Sequence, residues 1–532
     1  MASMDSVQHT YKSPNGPWVG ARAMVLSPKG GAPWQWPATL VAGLLLGAAS
    51  LAAFRLPSPW GYLPLVLLLG SFVAMAAGQV RRLLLATIIL DIPFNLGTHL
   101  DYHLEAAAVG TVAGLSLSIT TVSLLALYAL WIAELLARRE TAATPNLRAA
   151  LPAALYVAFA GISVTRASYP TYSLFELFVL VELLLLYIYV ASTVRSRQDV
   201  LFIIGVLFAG LVLEGAVMLS MRFGAQSVSI FGLSARMDLA SSGGDRFYRV
   251  AGTVGSPNEA ASYLTLLLAP AVAILLARVS PSHKLLAAVA LALGGVALLL
   301  TFSRGGWAAF TLSLTLLCVA AWRRGWLSPF LPLVVAGVGV ALALVFQETI
   351  LSRLTDSVAT QGRFPLIEIA FRMIQSHPLL GIGANNFGLT MKQYVTPELN
   401  GQWLYTVHNK YLLVWSETGI GGLLAFLLFL GATLRQGWQV WRHRDPFLSL
   451  LALGFTTAVA GQMVHMMVDI FNDRQQLQLL WLIAALIAAM ASMIGSQQAP
   501  EMTRPLGQTP NGARRKTRPL VARPAGRWPH GA

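Results

Sequence analysis

Charge is scarce in this chain of 532 residues: 11% are Asp, Glu, Lys or Arg and 56% are hydrophobic. A soluble globular domain carries about 25% charged residues, so the composition excludes an ordinary water-facing fold. Cysteine is nearly absent. The single Cys318 lies inside an apolar segment, which rules out a disulfide framework and says nothing of redox compartment. The first 35 residues are polar, rich in Gly and Pro, and lack a cleavable signal pattern, so the first apolar run is expected to act as an uncleaved anchor. No internal repeat stands out. Acids are fewer than bases, 22 against 37, for a net charge of +15. In a soluble protein that balance would suggest nucleic acid or anionic lipid. Here the positions of the charges explain it better, and no nucleic-acid partner is expected.

What the chain has in abundance is apolar runs long enough to cross a hydrocarbon layer as helices. Fourteen candidate spans fall near 37–54, 61–78, 83–98, 111–137, 148–165, 173–193, 199–221, 257–278, 285–302, 305–322, 327–346, 410–434, 447–470 and 476–494. The third is the weakest, because Asp91 and Pro93 interrupt it, and the tight Ser303–Gly306 joint could be a re-entrant turn. With residues 1–36 in the cytoplasm, the short inner loops hold fourteen Lys and Arg and the short outer loops four. That asymmetry sets the orientation. Two long loops, about 222–256 and 347–409, then fall outside, and residues 496–532 form a basic inner tail expected to be disordered and to touch membrane lipids. The fold class expected is an all-α polytopic membrane protein: a bundle of about 12–14 transmembrane helices over 37–346 and 410–495, with residues 347–409 as a long helical outer loop.

The most informative stretch runs from His408-Asn409 to Gly419 and Gly422, where the second long loop enters a span. On a regular helix Gly419 would lie about 20° and Gly422 about 40° from the direction of His408. One face would carry a histidine at the boundary with close-packing glycines beneath it. Such a histidine suits a general base. The plainer reading is an interfacial histidine above helix-packing glycines. Arginine forms the second group: Arg304 in Ser303-Arg304-Gly305, Arg363 before Phe364-Pro365, Arg372 before His377-Pro378-Leu379-Leu380-Gly381-Ile382-Gly383, and Arg249 before Gly252 and Pro257-Asn258. Guanidinium forks suit phosphate oxygens. A lone arginine is more often a solvated or headgroup-binding residue, but several on the side of His408 favour function. His99, Asp101 and His103, and separately His465, Asp469 and Asp473 at helical spacing, are rival metal-ligand sets; structural hydrogen bonding accounts for them better. The acids inside spans, Asp91, Glu134, Glu176, Glu182, Glu214 and Glu417, keep a proton-coupled transporter open as a rival function.

These motifs, in order from Arg249 to Gly422, resemble the bacterial O-antigen ligases and related polymerases and protein-glycosylating ligases. His408, Asn409, Gly419 and Gly422 fit the ligase spacing. The resemblance implies a multi-pass protein of the inner membrane with its site on the periplasmic side and no cofactor or metal. It implies an undecaprenyl-diphosphate-linked polysaccharide as donor and a sugar hydroxyl of lipid A–core as acceptor, in an inverting, metal-independent transfer. His408 would be the base and Arg304 and Arg363 would be catalytic at the diphosphate. Arg249, Arg372, Asn258 and Asn409 would bind substrate. A polymerase or another lipid-linked glycan transferase is the alternative: Arg372 and Gly383 fit one polymerase-type spacing, but the 222–256 loop has no second.

Overall fold

The computed structural model describes residues 79–137, 143–224, 229–230, 233–242, 245–328, 330, 337, 363–397 and 404–502. The expected spans 37–54 and 61–78, most of 327–346, the 1–36 segment and the tail beyond 502 lie outside these residues.

Within them the chain is an all-α membrane protein with ten helices long and apolar enough to span. The helices are α1 (Val80–Phe94), α2 (Ile119–Leu136), α3 (Leu147–Ser163), α4 (Pro170–Thr193), α5 (Arg197–Gly224), α6 (Pro257–Leu276), α7 (Pro281–Leu300), α8 (Arg304–Arg323), α9 (Phe364–Ser376), α10 (Lys410–Trp441), α11 (Pro446–His465) and α12 (Arg474–Met502). Eleven of the fourteen expected spans thus coincide with described helices. Of these, α1 has only 15 residues. It runs through Pro93 and ends where Asn95 turns left-handed at φ 48°. The last helix continues to Met502, past the expected start of the tail at 496.

The helix starts are written in the sequence. Pro257 follows Ser256, whose side chain accepts from the Glu259 amide while Glu259 reaches back to the Ser256 amide, a reciprocal cap that starts α6. Ser303, Asn409 and Asp445 cap α8, α10 and α11 more simply, their side chains accepting from first-turn amides. Between α7 and α8 only Thr301, Phe302 and Ser303 intervene, with Phe302 at φ 49°. The joint is therefore a tight turn between two spans. From it α7 packs on α5 and α6, whereas α8 packs on α11 and α6. At the centre stand α6, α11 and α12, with 78%, 78% and 83% of their apolar windows buried, against 28% for peripheral α2 and α7. A helix apolar on every side fits either place, and tertiary packing decides which.

Small β elements depart from the all-helical expectation. Strand β1 (Gly97–Leu100) pairs with β2 (Leu115–Ser118), and β3 (Ser229–Ile230) with β4 (Leu233–Ser234). In the first long loop β5 (Arg236–Ser242) pairs with β6 (Asp245–Gly252), setting Asp238 opposite Arg249. In the second, α9, the turn Phe387–Thr390 and the 3-10 turn Met391–Tyr394 are helical.

A second departure concerns α10. No regular face carries His408 above Gly419, because His408 precedes the helix and Gly419 breaks it at φ 69° and ψ −174°. The His377–Gly383 motif fills the break. Ile382 and Gly383 donate their amides to the Ser416 and Glu417 carbonyls at 2.9 and 3.0 Å, and the Ile420 amide donates to the Pro378 carbonyl at 3.0 Å. A side chain on Gly419 would run into the Leu379 carbonyl, and one on Gly381 into the Glu417 backbone. These glycines are needed for backbone against backbone.

Candidate active site

Three stretches of chain converge on a cavity of about 500 Å³. The β5–β6 hairpin and the start of α6 contribute Arg236, Asp238, Arg249, Gly255, Ser256, Pro257, Asn258 and Glu259. The segment entering α10 contributes Tyr405 and His408, and the joint between α11 and α12 contributes Asp469, Ile470 and Asp473.

Each stretch is pinned. Asn409 accepts from the Tyr411 and Leu412 amides at 3.0 Å each, and donates Nδ2 to the Met467 carbonyl at 2.9 Å. The Lys410 amide donates to the Met466 carbonyl at 2.9 Å and the Tyr411 hydroxyl to the Met463 carbonyl at 2.7 Å. The segment carrying His408 is thereby stitched along the end of α11. On the other wall Arg249 donates Nε to the Thr301 carbonyl at 2.8 Å and Nη2 to Asn258 Oδ1 at 2.7 Å. Asn258 passes the connection on, donating Nδ2 to Asp469 Oδ2 at 2.7 Å. One polar relay therefore joins the hairpin, the α7–α8 joint, α6 and the α11–α12 joint.

The electrostatics suit a neutral imidazole. Burial holds the His408 pKa below the usual histidine value; nearby Asp469 opposes this, Arg363 lowers it further, and a backbone hydrogen bond with Thr406 raises it. The His408 ring stands 5.7 Å from that of Tyr405. Burial, followed by Asp473, Glu259 and Asp469, pushes the Tyr405 phenol up to about 12, so it stays protonated as a donor.

The sequence-derived residues divide accordingly. His408, Arg249 and Asn258 line the cavity. Half-buried Arg363 precedes α9 within electrostatic reach of His408. Half-buried Arg304 opens α8 at the joint that Arg249 grips, and a Cβ on neighbouring Gly305 would come within 2.5 Å of the His465 ring. Asn409 works as a cap and staple beside the cavity. Arg372 is on an exposed face of α9, paired with Glu368 at 2.6 Å, and does not line the cavity. The helical spacing read for His465, Asp469 and Asp473 does not hold, because α11 ends at His465 and α12 begins only at Arg474. Among the described residues no three of His, Cys, Asp and Glu gather as a metal-holding group.

Sequence reasoning passed over Arg236, Asp238 and Tyr405 and weighed Asp469 and Asp473 as metal ligands or, preferably, structural hydrogen-bonding groups, not as part of the site. Two signals were present. Arg236 and Asp238 alternate as one strand face would, and Asp469-Ile470-Phe471-Asn472-Asp473-Arg474 is a dense polar joint between two apolar spans.

No curated protein matches the chain. Residues 288–427 match the family described as O-Antigen ligase. That stretch carries Arg304, Arg363, the His377–Gly383 motif, His408 and the broken first half of α10; Arg249, Asn258 and Asp469, which complete the cavity, fall outside it. The chain is thus a multi-pass membrane protein that resembles, across its His408 segment and the helices around it, the O-antigen ligase/polymerase superfamily.

Proposed function

We propose that this protein is an O-antigen ligase-type glycosyltransferase, acting at the periplasmic face of the bacterial inner membrane on a polysaccharide carried by undecaprenyl diphosphate. The observation that carries the reading is His408 in a polar cavity of about 500 Å³, beside Asp469 and Arg363. The acceptor is a sugar hydroxyl of lipid A–core. Its oxygen attacks the anomeric carbon opposite the diphosphate, so the new C–O bond forms as the bond to the phosphate oxygen breaks and configuration inverts. The hydroxyl proton passes to His408, and the bonding pair leaves with the diphosphate. Charge on that leaving group grows through the transition state, and Arg304 and Arg363 neutralise it without a metal. Arg249 and Asn258 form the facing wall and orient substrate. The prenyl chain stays in hydrocarbon against the bundle.

Deleting the gene should leave cells with full-length polymer on its lipid carrier and unmodified lipid A–core. Short-chain material on lipid A–core would assign the protein to polymerisation instead. Unchanged lipopolysaccharide would remove it from this pathway and favour the transporter reading.

A further inference from the structure

Among the described residues Lys410 is the only buried lysine, 2% exposed, and it stands two residues past His408. The transfer step does not use it. An ammonium group withdrawn from water persists only where charge and hydrogen bonds replace the water. Both are present. Lys410 Nζ donates to Asn472 Oδ1 at 2.5 Å. Glu176 of α4 and Glu417 of α10 stand within its electrostatic reach. Glu417 also accepts the Phe387 amide at 2.9 Å, which ties the same charge group to the turn that follows the segment filling the α10 break.

Asn472 gives the contact its meaning. It lies in the non-helical joint between Asp469 and Asp473, both of which line the cavity opposite His408. Asp469 in turn receives Asn258, which receives Arg249. The joint has no helical hydrogen-bond ladder of its own to hold Asp469 in place. The Lys410–Asn472 bond supplies a fixed point, anchored on the segment that carries His408.

We propose that Lys410 is a positioning residue of the active site: its ammonium, balanced by Glu176 and Glu417, grips Asn472 and so fixes the Asp469–Asp473 joint against His408. The proposal rests on His408 being the base. Lys410 thus has two separable tasks, charge balance and grip, and a purely structural lysine would have only the first. Replacing Lys410 by Met removes both. Adding Glu176→Gln to Lys410→Met takes away one of the two acids that the lysine balances, so less charge is left uncompensated, but it does not restore the grip. Asn472→Ala removes the grip and leaves every charge.

The test uses full-length purified protein in detergent, with donor and lipid A–core extracted from cells lacking the gene, measuring melting temperature, KM for each substrate and single-turnover rate. Lys410→Met should melt lower than the native protein, and Lys410→Met/Glu176→Gln should recover most of that loss. The double variant and Asn472→Ala should both turn over about 10- to 100-fold more slowly, with both KM values nearly unchanged, because misplacement by about 1 Å costs on the order of 10²-fold. Native turnover in either variant, with His408→Ala inactive, would overturn the positioning role and leave the base in place. Native turnover in His408→Ala would remove the base and the inference with it.

Discussion

At the scale of single residues, the histidine is distinguished less by its identity than by the opposed charges around it. Burial favours neutral imidazole, Asp469 favours imidazolium and Arg363 disfavours it. Asp238, Glu259, Asp473 and Tyr405, with Arg236 and Arg249, complete the titratable and charged lining of the cavity. A base must be deprotonated before it accepts the hydroxyl proton, so the rate should rise with pH through the His408 pKa and level off above it. Asp469→Asn removes the charge that raises this pKa and should move the acid limb to lower pH. Arg363→Ala removes a charge that lowers it and should move the limb to higher pH. The measurement is single-turnover rate against pH for native protein and both variants. Two unmoved limbs, or an Asp469→Asn limb moved to higher pH with an Arg363→Ala limb moved to lower pH, would dissociate the rate from His408. His408→Ala itself should cost about 10²–10⁴-fold.

At the scale of elements, the break in α10 is the feature that regular periodicity hides. A helix wheel places Gly419 beneath His408, yet the chain uses that glycine to stop the helical ladder and admit residues 378–383. Its conformation, φ 69° and ψ −174°, is open essentially to glycine alone, and another residue there costs of order 1–3 kcal/mol before any clash. Gly419→Ala should therefore lower the melting temperature and suppress transfer, since its Cβ also meets the Leu379 carbonyl. Gly431 lies further along the same helix with open space around its Cβ position. Gly431→Ala should be neutral or slightly stabilising. Equal effects of the two substitutions would mean that the break is not a structural requirement.

At the scale of the whole molecule, the bundle is tied together by charge buried where helix ends meet. Arg474, at the start of α12, pairs with Asp91 of α1 at 2.8 Å and donates to Ser118 at 2.6 Å and Asn95 at 2.9 Å. Glu182 of α4 approaches the same guanidinium at 3.7 Å. This network explains why Asp91 can sit inside a span and why α1 is stable despite Pro93. Removing one member strands the others, at a cost of about 3–5 kcal/mol for a buried pair. Arg474→Met should thus be strongly destabilising in detergent unfolding, and Arg474→Met/Asp91→Asn should recover part of the loss. A native-like melting temperature for Arg474→Met would show the network to be dispensable.

How much of this was legible in the sequence depends on the range of the interactions. Apolar run length alone marked out the membrane helices, because backbone polar groups in hydrocarbon must bond within their own segment and the requirement is local. The caps at Ser256, Ser303 and Asn409 are equally local but emerged only with the helices themselves, whereas ordered spacing singled out His408, Arg249, Arg304, Arg363 and Asn258. What lay beyond sequence reasoning was partnership across hundreds of residues: Asn258 with Asp469, Arg474 with Asp91, and residues 378–383 in the break at Gly419. Arg372, similar to the other arginines in sequence, pairs with its own helix instead. A span apolar on all sides does not specify its neighbours, so the sequence determined which segments enter the membrane and which polar residues stand at their ends. Only the tertiary structure, through packing and the need to satisfy each buried polar group, decided which of those ends meet around one cavity.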